Sequence, residues 1–156
     1  MSAGIRRAVP GDLAHLMPLA EAYCAADGHD FDAATVRRGL VPLLADDRHG
    51  VVLVVDDGRP GALAGYGVVT WSWSVEIGGP EAVLDEVYVR EQGRGTGGEL
   101  VEALVETCRT HGMRRVFLET ERPNHAARRL YERHGFTADD SVWMSRLLEP
   151  AGPSDG

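Results

Sequence analysis

The sequence predicts an α/β (α+β) domain with a mixed, mostly antiparallel central sheet flanked by helices. Three observations predict it. A strand-like run over 83–89 leads through a glycine-rich loop, 92–98, into a helical run. Two earlier strand-like runs, 51–55 and 62–75, precede it and are joined by short turns, so the three succeed one another as antiparallel neighbours. After the loop, a helix, a strand, a helix and a final extended run alternate, which is an α/β pattern confined to the second half.

Each element has its own signal. Ile5 to Val9 alternates weakly and reads as a first strand; Pro10-Gly11-Asp12 is a turn, with Asp12 as N-cap of the helix that follows. In that helix Leu13, Leu16, Met17, Ala20 and Tyr23 recur at helical spacing, and Gly28 breaks it. Asp32 caps a second helix from Phe31 to Leu44, which Pro42 makes irregular or splits. Asp56-Asp57-Gly58 reads as a hairpin turn. The helix after the loop carries Leu100, Val101, Leu104, Val105 and Cys108 on one stripe and ends at His111-Gly112. Arg115 to Glu119 is a short strand, Asn124 caps a last helix that Gly135 closes, and Phe136 to Leu148 reads as one or two final strands. The reading is one domain over 1–149, with 150–156 as a disordered polar tail.

The chain has 156 residues and a net charge of −8. That balance argues against nucleic-acid or anionic-membrane partners and suits a cationic small molecule. Cys24 and Cys108 fall on apolar stripes with no metal-ligand spacing, so free thiols and a reducing, cytoplasmic setting are expected. No metal is expected. Lysine is absent, which excludes a Walker A loop and Schiff-base chemistry. The single Asn, Asn124, and the single Gln, Gln92, both lie in the stretches that carry the site.

The loop Gln92-Gly93-Arg94-Gly95-Thr96-Gly97-Gly98 is built to hold phosphate: glycines let backbone N–H groups approach an anion, and a helix N-terminus favours negative charge. A plain Gly-rich turn is the alternative. Formally, Gly93-x-Gly95-x-x-Gly98 also matches the dinucleotide fingerprint, with Glu119 near the place of its ribose acid, and would make the chain an oxidoreductase. The antiparallel strands before the loop and the short chain after it argue against that fold. Asn124, Ala127, Arg128 and Tyr131 line one face of the last helix, beside the loop. A capping Asn and a core Tyr are the structural alternatives.

Gln92-x-x-Gly95-x-Gly97, Leu118-Glu119-Thr120, Asn124 and Leu130-Tyr131-Glu132-Arg133-His134-Gly135-Phe136 together resemble the GNAT superfamily of N-acetyltransferases, and the element order from about residue 5 to 148 matches as well. The resemblance implies a sheet splayed at the cofactor site and acetyl-CoA as donor. It implies cofactor contacts from Val87, Tyr88 and Val89 on the strand, from Gln92, Gly93, Arg94, Gly95, Thr96, Gly97 and Gly98 in the loop, and from Asn124, Ala127 and Tyr131 on the last helix. Tyr131 is the implied acid for the departing thiolate. The loop departs from the family in being shortened after Val89 and in lacking its usual proline.

The implied reaction is direct attack of a primary amine on the thioester, and it needs a base, because only the neutral amine is a nucleophile. Asp85 and Glu86 stand on the strand before the loop, on opposite faces by the strand period. Asp85 is favoured, because it shares a face with Val87 and Val89 and because polyamine-type relatives carry an acid at a similar position. Glu86 follows closely and Glu76 is third. The N–H of Val87 is placed to stabilise an oxyanion. Trp71, Trp73 and Glu76, with Tyr23, Asp27 and His29, are candidate walls for an ammonium pocket; the tryptophans serve equally as core or as a homodimer contact. An acyl-CoA-binding sensor is the non-catalytic alternative.

Overall fold

The run Val51 to Val55 is apolar at every position, so a strand made of it must be covered on both faces. The computed structural model, which describes residues 4–149, has that arrangement. In order the elements are β1 (Gly4–Arg7), a 3₁₀ turn (Pro10–Asp12), α1 (Leu13–Ala26), α2 (Ala33–Ala45), β2 (Gly50–Asp56), β3 (Leu63–Ser74), β4 (Gly79–Val89), α3 (Thr96–Thr110), β5 (Val116–Phe117) and α4 (His125–Arg133). The strands form one sheet in chain order. The pairs from β1 to β4 are antiparallel, and β4 with β5 is parallel.

Strand parity divides the core. Val52, Val54, Tyr66 and Val68 pack under α1 and α2, against Leu16, Leu19, Leu40 and Leu44. Val51, Leu53, Val55, Val69 and Leu84 pack under Leu100, Leu104 and Cys108 of α3. Gly67 lets α3 approach closely, since a Cβ there would lie 2.5 Å from Leu104 Cδ1. Among the described residues no helix is long and apolar enough to cross a membrane.

Two expectations are refined and two are corrected. Asp12 stands at the N-cap position of α1, as expected, but its side chain makes no capping hydrogen bond to that helix. It accepts the Val9 N–H at 2.8 Å and a two-pronged ion pair from Arg6, which lock the 3₁₀ turn onto β1. Helix α2 runs unbroken through Pro42, while Asp32 caps it as expected, accepting from Ala34 N. The expected hairpin joins β2 to β3, but its loop extends beyond Asp56-Asp57-Gly58 to Leu63 and closes with Asp57 N–H to Ala62 O at 3.0 Å. Residues 136–149 form no strand. The two-residue β5 offers little edge to pair with, and Asp139 bends the segment by accepting the Ser141 N–H. The segment touches β5 through rings instead, Trp143 stacked on Phe117 at 5.3 Å. The proposed tail, 150–156, lies outside the described residues.

An ionic node ties the end of α3 to the sheet. Asp47 pairs with Arg7 of β1 and, at 2.9 Å, with His111 Nε2; His111 Nδ1 lies 2.8 Å from Thr107 O. Arg7 and His111 push the Asp47 carboxyl down to about 2. Asp47 and the Thr107 carbonyl raise the His111 imidazole above its ordinary value. A raised imidazole stabilises the fold below its unfolded pKa and loses that contribution as pH rises through the folded value; a depressed carboxyl stabilises above the ordinary carboxylate range and loses it on acidification. Urea-unfolding midpoints should therefore decline as pH rises above the ordinary imidazole value of about 6.5, and again as it falls below the ordinary carboxylate value of about 4. Asp47→Asn should flatten the upper decline; an unchanged slope in that variant would remove the node from this role.

Candidate active site

Strand β4 is paired on both sides only over its first half. On one side its length from Gly79 to Val89 is in register with β3. On the other, pairing with β5 is confined to Ala82↔Val116 and Val83↔Phe117. Beyond Val83 the two strands part, and the edge of β4 faces a gap: the splay expected of the sheet.

The register with β3 shifts at the same place. Val68 faces Glu86 and Val69 faces Leu84, so Asp85 is the extra residue of a β-bulge. The bulge reverses the parity of the strand. Before it, the Ala82 N–H donates to Arg115 O on the β5 side at 2.9 Å; after it, the Arg90 N–H donates to Ala64 O on the β3 side at 2.8 Å. Alternation then turns the N–H groups of Val87 and Val89 away from β3 and toward the gap. Without the bulge these amides would be spent on β3.

The loop after β4 ends at the start of α3. Gly93 and Gly95 have φ of +86° and +79°, the left-handed region that glycine enters without a Cβ penalty. Gly95 is the N-cap and has no side chain to offer as a cap; its carbonyl accepts from Glu99 N at 3.1 Å. The leading N–H groups of Thr96, Gly97 and Gly98 are thus the helix-end donors left for a ligand. Gln92 is exposed, and Arg94 pairs with Glu91 at 3.0 Å. Gly98 serves packing: a Cβ there would lie 2.8 Å from His134 Nε2 of the α4 C-cap, and one on Gly97 3.7 Å from Leu130.

That close approach seats α4 beside the loop. Asn124 is its N-cap, Oδ1 accepting the Ala127 N–H at 3.2 Å, which leaves the side-chain NH₂ as a donor. Ala127 and Arg128 are half-buried. Tyr131 is half-buried with its ring edge-on to Phe136 at 5.8 Å. Burial, and then the charge of Asp27, raise the Tyr131 phenol, so it holds its proton at neutral pH.

The carboxylates share Tyr23 of α1 as a neighbour with Tyr131 of α4. Asp85, lifted out by the bulge, is exposed to solvent and has no hydrogen-bond or ion-pair partner among the described residues; the surrounding protein raises its carboxyl through partial desolvation. Glu86 is half-buried on the α1 side. It accepts a 2.7 Å hydrogen bond from the hydroxyl of Tyr66, and burial raises its carboxyl against the opposing pull of that bond. The strand period put Asp85 on one face with Val87 and Val89; the bulge interrupts that period. Tyr23 on α1 is edge-on to Tyr66 at 6.5 Å. Its phenol is raised by burial and then by Glu86, Asp27, Asp85 and Tyr131, so α1, β4 and α4 bring these groups to one place. Asp27 pairs with His29 at 3.4 Å. Tyr66 was missed in the sequence. Its signal was a large polar-tipped ring between Gly65 and Gly67, which reads equally as plain core.

The other expected walls lie elsewhere. Trp71 packs in the α3 layer, lies tilted against the His111 ring at 5.1 Å and donates to Asp47 O at 2.8 Å. Trp73 is exposed near the end of β3, paired in register with Pro80. Glu76 sits in the β3–β4 turn, at the end of the hairpin away from Asp85. A depression of about 410 Å³ is lined by His15, Asp57, Arg59, Arg90 and Glu91, but none of Asp85, Glu86 or Tyr131 lines it. Its Arg59 is matched by Asp57 at 2.8 Å.

Residues 16–136 match the acetyltransferase (GNAT) family model. A mycothiol acetyltransferase from Beutenbergia cavernae is 38% identical over 90 residues, covering 54% of this chain and 27% of that protein. The chain thus matches about a quarter of that relative's length. Among solved structures, an integron cassette protein from the mobile metagenome of Cole Harbour Salt Marsh superposes with a TM-score of 0.82 at 25% identity, covering 95% of this chain and 92% of the other. A candidate acetyltransferase from Arthrobacter sp. FB24 superposes with a TM-score of 0.78 at 28% identity, covering 92% and 95%. The dinucleotide reading of the glycine loop is overturned, since the loop follows an antiparallel strand and the only parallel pair among the described residues is β4 with β5. The chain belongs to the GNAT acetyltransferase family.

Proposed function

We propose that this protein transfers an acetyl group from acetyl-CoA to a primary amine of a small cationic molecule, by direct attack of the amine. The observation that carries the reading is the open half of β4. Its outward amides lead directly to the N-terminus of α3, with carboxylates and a phenol beside the same gap. Acetyl-CoA supplies the acetyl group as an activated thioester.

The chain's own groups then divide the work. Backbone N–H groups from Arg94 to Gly98, with the dipole of α3, hold the pyrophosphate. Val87 and Val89 offer strand-like hydrogen bonds to the pantetheine arm, with Tyr88 between them, and the NH₂ of Asn124 offers another. Gln92, Gly93 and Ala127 complete the contacts. Asp85, directly or through water, takes the proton that the ammonium must lose, and its raised carboxyl suits that task. As the C–N bond forms, the Val87 N–H faces the carbonyl oxygen where negative charge develops. As the C–S bond breaks, the carbonyl re-forms, Tyr131 gives its proton to the sulfur, and the second proton that the nitrogen sheds passes through water to restore the phenol, so the one proton taken by Asp85 is the net release. The acidic wall of Asp85, Glu86 and Asp27 favours a cationic acceptor.

In a thermal-shift series acetyl-CoA and CoA should raise the unfolding midpoint and NAD should not. Gly95→Val should weaken CoA binding by about tenfold or more, because a branched residue resists φ near +79° in the cradle. A folded Gly95→Val protein that binds CoA normally would remove the loop from the site.

With a turned-over amine, Tyr131→Phe should lower kcat by about 100-fold with little change in KM for acetyl-CoA. Asp85→Asn should lose most rate near pH 6 and recover part of it near pH 9, where free amine is plentiful. A pH-independent loss would move the base to another group, with Glu86 next.

A further inference from the structure

The Tyr66–Glu86 pair has no part in the proton transfers above. Tyr66 is fully buried, and its ring is held edge-on by Tyr23 at 6.5 Å and 77°, and tilted by Tyr88 at 6.5 Å and 49°. So clamped, its hydroxyl donates to Glu86 Oε2 at 2.7 Å, while Glu86 Oε1 accepts no hydrogen bond from the described residues. The groups that act on Glu86 or feel it are Tyr66 from β3, Asp85 from β4, and Tyr23 and Cys24 from α1; Asp27 of α1 and Tyr131 of α4 are reached across Tyr23. None is a cation. A half-buried carboxylate with one neutral donor and no counter-charge is costly to keep ionised.

We propose that Tyr66 is a positioning residue for acceptor binding: it orients Glu86 and holds it as a carboxylate, so that Glu86 anchors the ammonium group of the acceptor while the unpartnered Asp85 handles the proton. This rests on the amine-acetylating reading and deepens it. The acceptor itself completes the charge pairing at Glu86, so a cationic amine is bound in preference to a neutral one. The Tyr66 hydroxyl stabilises the charged form of Glu86, so its removal raises the Glu86 pKa. The anchor is then lost, as pH falls, from a higher pH than in the unmodified protein.

The test is Tyr66→Phe, alone and combined with Glu86→Gln, read two ways. In the first, the side-chain carboxyl of Glu86 is followed by ¹³C NMR across pH in the cofactor-free protein; Tyr66→Phe should move its titration upward. In the second, kinetics with a primary alkylamine such as n-butylamine should give a rise in amine KM of about tenfold at neutral pH, steeper toward acid, with kcat falling less. Glu86→Gln keeps an acceptor for the Tyr66 hydroxyl but no charge; it should raise KM similarly, and adding Tyr66→Phe to it should have little further effect. An unmoved Glu86 titration, or equal losses from Tyr66→Phe in both backgrounds, overturns the proposal. A panel of amines without any turnover instead counts against the amine-acetylating reading, and the NMR titration still decides the Tyr66–Glu86 linkage.

Discussion

A single extra residue in β4 governs what the rest of the site can do. With Asp85 bulged out, the strand stays paired to β3 while its parity reverses, so that the amides of Val87 and Val89 come to face the side where β5 has already parted. The same insertion leaves Leu84 packed under α3 and turns Glu86 to the α1 side, beside Tyr66. One local irregularity thus supplies a free carboxylate at Asp85, a held carboxylate at Glu86 and an open hydrogen-bonding edge at Val87 and Val89. A regular strand of the same sequence would turn the amides of Glu86 and Tyr88, not those of Val87 and Val89, toward the gap and would put Glu86 on the α3 side, away from Tyr66.

Around this strand the packing is conventional, and it aims the remaining groups. Helix α3 is anchored by Leu100 and Leu104, so its N-terminus is fixed at the end of β4. Gly97 and Gly98 bring α4 against that N-terminus, which sets Tyr131 beside the gap. Helix α1 closes the other side with Tyr23 and Asp27. Burial raises Asp85 and Tyr131 toward their protonated forms, as suits groups that exchange protons rather than only solvate a surface.

How much of this the sequence discloses depends on whether the signal is local. The glycine loop is legible because Gly93 and Gly95 need positive φ, and Asn124 because a cap is written in one residue. Apolar periodicity gives α1, α3 and the three central strands. The bulge is not legible, since it exists only as a register between two strands, and with it goes the reversal of faces that the strand period could not foresee. Tyr66 looks like core until its hydroxyl is seen on Glu86. Trp71 looked like a pocket wall because period two does not say which layer a face belongs to; His111 and Asp47 claim it. The apolar run Val142-Trp143-Met144 has strand propensity, but β5 is too short to pair with it.

The central claim is that the open half of β4 receives the acetyl donor as a strand-like partner. Amide hydrogen exchange, resolved by residue with and without CoA, tests it most directly. The N–H groups of Val87 and Val89 should exchange freely in the unliganded protein and become protected when CoA binds, together with Thr96 to Gly98, while the inward N–H of Tyr88 stays protected throughout. Saturating CoA that slows exchange in the loop but leaves Val87 and Val89 unchanged would contradict the account.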